Sequence, residues 1–180
     1  VNGIALVDGE KIFSEVVGGQ KKIVICGGGH VSMPIIQLGR QIGCYVTVLE
    51  DRPKFADNAR RAGADKVICE AFEAGLEQIP GDSDTFFVIV TRGHVYDRIC
   101  LESIVRKPHA YIGMMGSRRR VAQVKHSVLE NGADPQVISQ LHSPIGLDIK
   151  AETPEEIAIS IMAEIIQVKN QDKRGAGYSN

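Results

Sequence analysis

The chain has 180 residues, 43% of them hydrophobic and 24% charged, with a net charge of -1. That composition describes one globular domain able to bury roughly 70% of the surface its unfolded chain exposes, and it excludes a disordered polyelectrolyte. A near-neutral balance argues against a nucleic-acid partner, and no run approaches the roughly 18 consecutive apolar residues of a membrane span.

In chain order, residues 4–7 (IALV) and 11–17 (KIFSEVV) flank Asp8-Gly9, a turn dipeptide that predicts a short N-terminal β-hairpin. Five short apolar runs follow: 22–26 (KIVIC), 44–49 (CYVTVL), 66–69 (KVIC), 85–90 (TFFVIV) and 110–114 (AYIGM). Helical stretches separate most of them, at 31–42, 54–62 and 96–106, and another at 117–131 follows the last run. Strands that are apolar on both faces and joined by crossover helices imply an α/β fold, a Rossmann-like doubly wound parallel sheet. Counting only these five strands, the simplest order is 3-2-1-4-5. In "ETPEEIAISIMAEII", Thr153, Pro154 and Glu156 form a capping box for a final helix whose Ile157, Ile161 and Ile165 share one face. The division expected is a hairpin extension at 1–19, a Rossmann-like domain at 20–170 and a polar tail at 171–180.

Cys26, Cys44, Cys69 and Cys100 are widely spaced and form no CxxC pair, which predicts reduced thiols. Cys26, Cys44 and Cys69 lie in or beside apolar runs and are expected to be buried. The first residues show no basic leader ahead of a long apolar segment, and the expected location is the cytoplasm.

The stretch "KKIVICGGGHVSM" carries the first chemical signal. Gly27, Gly28 and Gly29 follow a strand and precede a helix, with Ser32 as a small third position, the setting in which a glycine turn lets main-chain amides approach a phosphate. His30 stands directly behind. A dinucleotide site also needs a carboxylate near the end of the second strand, where Glu50 and Asp51 sit, while Arg52 would favour a phosphorylated ribose. A turn that serves packing alone is the competing reading. In "GMMGSRRR", Gly116 and Ser117 precede Arg118, Arg119 and Arg120 in a helical first turn, where cations oppose the helix dipole and a bound anion would offset them. Arginines pointing into water are the alternative. Thr91, Arg92 and Asp97 share the rim after the fourth strand, Thr91 as a phosphate or ribose donor or Asp97 as an orienting group for the next helix. Of His30, His94 and His142, two are expected to face one crevice as polar lining, since no tight metal-ligand spacing is present. No nucleophile, base and orienting group come together in the sequence.

Taken together, "VICGGGHVSMPIIQLGRQIGCYVTVLEDRPKFA", "TRGHVYD", "YIGMMGSRRR" and "LHSPIGLDIKAETPEEIAISIMAEII" resemble the carboxyl-terminal Rossmann domain of the xanthine dehydrogenase accessory protein family (XdhC/CoxI type), over about residues 20–168. The resemblance implies a maturation factor for a molybdenum hydroxylase, a carrier rather than an enzyme, which binds the molybdenum cofactor (molybdopterin), assists its sulfuration and delivers it to the apoenzyme. It carries over Gly27, Gly29, His30, Glu50, Asp51, Arg52, Thr91, Asp97, Gly116, Ser117 and Arg118 as cofactor-binding positions, and it suggests Cys26 or a histidine as an approach to the metal or its sulfur ligand. Where members often have histidine directly after the threonine, this sequence has Arg92, with His94 two residues later. Many members carry a further amino-terminal domain, so a separate partner polypeptide or a homo-oligomer built on the hairpin edge is expected, with a cysteine desulfurase as a second partner. An NAD(P)-dependent oxidoreductase and a nucleotide-sensing Rossmann module are the alternatives.

Overall fold

The computed structural model describes residues 3–7, 10–14 and 19–174, and the side chains of residues 19–171. The hairpin strands β1 (Gly3–Val7) and β2 (Glu10–Ser14) pair antiparallel, while the Asp8-Gly9 turn predicted between them lies outside the described residues.

The main sheet is built from β3 (Lys22–Cys26), β4 (Tyr45–Leu49), β5 (Lys66–Ile68), β6 (Thr85–Ile89) and β7 (Tyr111–Met114). All neighbours are parallel and the spatial order is β5-β4-β3-β6-β7, the predicted 3-2-1-4-5 when counted from β3. Between and after the strands come α1 (Ser32–Gln41), α2 (Pro53–Arg61), α3 (Phe72–Glu77), α4 (His94–Ile104), α5 (Arg118–Glu130), α6 (Pro135–Ser139) and α7 (Pro154–Arg174).

Side-chain alternation along the strands splits the core into two layers. Ile23, Ile25, Phe86 and Val88 point to the face covered by α1, α2 and α7, where Ile35, Ile36, Ala59, Ile161 and Ile165 are buried. Val24, Cys26, Phe87 and Ile89 point to the other face, where α3 to α6 contribute Leu76, Leu101, Val124 and Ile138. Helices on both sides are the reason the strands read as unbroken apolar runs. The outer edge of β7 is also covered. His142 N–H donates to Ile112 O at 2.9 Å and Met114 N–H donates to His142 O at 3.0 Å, so the "LHSP" segment lies along it as a bridge and removes an open edge. Tyr111 Oη donates to the mostly buried Glu164 of α7 at 2.6 Å, and Gly146 N–H to the same oxygen at 3.1 Å, tying that segment to the helix layer.

The predicted capping box of α7 is formed: Glu156 N–H donates to Thr153 Oγ1 at 3.2 Å, and Thr153 N–H to Glu156 Oε2 at 2.9 Å. Thr153→Ala is expected to cost about 1 kcal/mol, read as a lower urea midpoint at unchanged slope. The helix continues to Arg174, past the start of the predicted tail, and residues 175–180 lie outside the described residues. Two short helices, α3 and α6, arise where no helix was predicted. Six and five residues are too few to display a 3.6-residue period, although Asp134, whose side chain accepts from Gln136 N–H at 2.9 Å ahead of Pro135, is a legible start signal for α6.

Candidate functional site

The carboxyl ends of β4, β3 and β6 converge where the connections leave the sheet in opposite directions, the position at which open α/β sheets form a crevice. The three glycines after β3 have different reasons to be there. Gly27 has φ of +116°, and a Cβ on it would stand 2.4 Å from Val90 O. A Cβ on Gly28 would press on Phe55 O at 3.1 Å and on the Glu50 side chain at 3.2 Å. Gly29 is the opposite case, since no atom of the described residues lies within 4 Å of its Cβ position. Packing therefore accounts for the first two, and only the third opens space toward solvent. Ser32 Oγ donates to Gly27 O at 2.6 Å and anchors the turn to α1, while the amides of Gly29, His30 and Val31 have no acceptor among the described residues.

Glu50 is fully buried and points inward. Its Oε1 accepts from Gly28 N–H at 3.3 Å and from Arg52 Nη2 at 2.6 Å, and its Oε2 accepts from Asp51 N–H at 2.8 Å. It braces the glycine turn instead of presenting a carboxylate to the crevice. Asp51 is held by Arg92, whose Nη1 and Nη2 donate to its two oxygens at 2.6 and 2.9 Å. Because β3 lies between β4 and β6, this ion pair spans the carboxyl end of β3, above the glycine turn. The Arg92 guanidinium also stacks on Tyr96 at 3.8 Å from the ring centre, and that of Arg52 on Phe55 at 3.6 Å. Arg92 holds the Asp51 carboxyl down to about 2 from its ordinary 3.8. A depressed folded-state value gives stability that is present above the unfolded value and lost as the pH falls through the folded one, so this contribution fades between about pH 4 and pH 2.

The buried Thr91 and Asp97 form a second set with the half-buried Arg120. Thr91 Oγ1 donates to Asp97 Oδ1 at 2.5 Å. Arg120 donates to Asp97 Oδ2 at 2.5 Å and to Thr91 O at 3.1 Å. Asp97 has no exposed surface, and burial pushes its carboxyl above the usual range despite Thr91 and Arg120 acting the other way. One of the three arginines that oppose the α5 dipole is thus compensated by the protein's own carboxylate. Arg118 and Arg119 stay exposed, and Ser117 caps α5 by accepting from Arg120 N–H at 3.2 Å. Gly116 lets the Arg120 stem pass, a Cβ there standing 3.3 Å from Arg120 Cδ.

The fold thus gathers Gly27, Gly28, Gly29, His30, Glu50, Asp51, Arg52 and Thr91 around the ends of β4, β3 and β6, with Gly116, Ser117 and Arg118 one strand further along. Asp97 is reached through Thr91. His30 is exposed on the loop after β3 and His94 at the first residue of α4, whereas His142 stacks on Tyr111 at 4.5 Å between ring centres, away from the other two along the β7 edge. Cys26 does not approach the crevice: it is fully buried in the core on the α4 side. Cys100 is buried against it, and the hydrogen bond with Cys26 together with burial pushes the Cys100 thiol well up, so both are packing residues. Cys69, expected to be buried, is only partly so, because β5 is the sheet edge and ends at Ile68. Arg92 and Arg120 carry more of the site than their sequence setting indicated. The clue was the uncompensated charge of "SRRR" at a helix start; for Arg92 the local pattern held no clue, since its partner is 41 residues away.

Chemically, the crevice offers unpaired amides at the start of α1 and guanidinium groups, an arrangement suited to an oxyanion. Among the described residues, no group of three or more His, Cys, Asp or Glu side chains is placed to hold a metal ion, and no helix is long and apolar enough to cross a membrane.

A model of the XdhC Rossmann domain matches residues 23–165. Among curated proteins, YqeB of Escherichia coli K12 is 34% identical over 165 residues, covering 91% of this chain and 30% of that protein. A Bacillus subtilis protein named as a probable xanthine dehydrogenase component is 29% identical over 160 residues, covering 89% and 46%. A crystal structure of a xanthine dehydrogenase from Bacillus halodurans superposes with a TM-score of 0.75 at 30% identity, covering 88% of this chain and 45% of that one. The chain spans less than half the length of each of these relatives.

Proposed function

Since this chain belongs to the XdhC family, whose Rossmann domain occupies residues 23–165, we propose that it is an accessory factor for a molybdenum hydroxylase of the xanthine dehydrogenase type. In this reading it binds the molybdenum cofactor as cargo, presents it for sulfuration by a cysteine desulfurase and passes it to the apoenzyme. The observation that carries the proposal is the asymmetry of the glycine turn. Gly27 and Gly28 are explained by packing, but among the described residues no atom fills the space at Gly29, and the three amides beside it have no acceptors. A phosphate on the pterin fits that donor set, and Arg92 above it is able to exchange Asp51 for a stronger anion. The likeness to proteins named as xanthine dehydrogenases supports the choice of client.

The oxidoreductase reading has less support. Glu50, the carboxylate that would hold ribose hydroxyls, is buried and already accepts from Gly28, Asp51 and Arg52.

Gly29→Leu tests the proposal. With open space at the Cβ, its stability should stay within about 0.5 kcal/mol of the parent. Mass spectrometry of small molecules co-purified from cells that make the cofactor should find molybdopterin with the parent and none with the variant. Equal retention by both, or a nicotinamide dinucleotide in place of the pterin, would overturn it.

A further inference from the structure

A cavity of about 310 Å³ lies between α5 and the segment that bridges the β7 edge, separate from the glycine turn. Its walls pair two cations, Arg118 and Lys125, with the apolar surfaces of Val121 and Pro144, and Gly116 and Ser143 close it. Arg118 and Lys125 are two turns apart on one side of α5, about 10 Å along the axis, within reach of one another's end groups through flexible stems. Among the described residues the ion pairs made by α5 are Arg120 with Asp97 and His126 with Glu130, so both cavity cations are without a carboxylate. Ser143 also lines the cavity, and its Oγ is buried and has no hydrogen-bond partner among the described residues. A shielded hydroxyl is nearly always paired, and an orphan calls for an explanation. The segment cannot easily move to satisfy it, because His142 is hydrogen bonded to β7 on one side and Gly146 to Glu164 on the other.

We propose that this cavity binds the phosphate end of an organic phosphomonoester, with Arg118 and Lys125 on the anion, Ser143 Oγ donating to it, and the organic part against Val121 and Pro144. Free inorganic phosphate would use the same cations but leave the apolar wall uncovered. The site does not depend on the molybdenum reading: a chain that retains no pterin still binds a simple phosphomonoester here, and Gly29→Leu leaves that binding intact.

Titration of the whole chain with phenyl phosphate and, separately, with inorganic phosphate, followed by calorimetry and amide shifts of residues 116–125 and 143–146, tests this. Phenyl phosphate should saturate and bind more tightly than inorganic phosphate. Arg118→Gln combined with Lys125→Gln should weaken it by roughly ten- to a hundredfold, the range for lost hydrogen bonds to charged groups. Ser143→Ala should weaken it by a smaller factor while raising the melting temperature of the unliganded protein, because the orphan hydroxyl is gone. Arg118 is exposed and Lys125 half-buried, so the double variant keeps the test open if Ser143→Ala fails to fold. The proposal is overturned by no saturable binding at millimolar concentrations, by the same affinity in the double variant, or by shifts confined to residues 27–32.

Discussion

Gly27→Ala is expected to destabilise the protein by about 4 kcal/mol or more, a large share of the 5–15 kcal/mol typical of a domain. Two costs add at this position. A φ of +116° is strained for any L-residue, and the new methyl would be 2.4 Å from Val90 O and 2.9 Å from Val90 C, both main-chain atoms. Neither strand can retreat, since Gly27 N–H is bonded to Leu49 O at 2.9 Å and Val90 N–H to Cys26 O at 2.9 Å, which ties β3 to both of its neighbours at the point of contact. Urea denaturation should show the loss directly, or the variant should collect in the insoluble fraction. A midpoint within a few tenths molar of the parent would mean that the turn rearranges at little cost. Comparison with Gly29→Leu would separate the packing role from the proposed binding role: the first substitution is expected to unfold the protein, the second, two residues on, to fold but lose the proposed ligand.

Arg120→Met should cost about 3 kcal/mol near neutral pH. Asp97 is wholly inside, and without the guanidinium it retains, among the described residues, only the Thr91 hydroxyl as a donor. Arg120 itself is 27% exposed, which keeps the loss at the lower end of the range for a buried pair. The pH dependence identifies the cause. The Asp97 carboxyl already sits above its ordinary value through burial, and removing the cation moves it higher. A group raised on folding favours the folded state below its unfolded value, and that advantage is lost as the pH rises through the folded one. The deficit of Arg120→Met relative to the parent should therefore be smallest in acid, where Asp97 is protonated in both proteins, and should grow as the pH rises. Denaturation midpoints at a series of pH values read it out. A deficit independent of pH would assign Arg120 a packing role through its stem instead of an electrostatic one.

Much of the scaffold is legible in the sequence. Apolar runs of four to six residues separated by amphipathic stretches specify β3 to β7, and the helix cap predicted from local chemistry at Thr153 is formed. The two helices without a periodic signal are short, and the last turns of α7 are polar enough to resemble a tail. Of the site, the glycine turn and the acidic pair after β4 are located by their spacing, but the direction in which Glu50 points is not. Whether a carboxylate faces a ligand or braces its own turn depends on Arg52, Gly28 and Asp51 folding back upon it, and the same letters serve either arrangement.

Local pattern determined the class of fold, the strand order and the position of the glycine turn, because hydrophobic period, capping chemistry and backbone permissiveness act over a few residues. Only the tertiary structure decided the partners: Arg92 with Asp51, Arg120 with Asp97, and Ser143 in one cavity with Arg118 and Lys125. Those pairs are 41 and 23 residues apart in the chain, and the cavity joins segments more than 15 residues apart. Charge and hydrogen bonding act through space at a few ångströms, so their outcome is set when the sheet brings the ends of its strands side by side.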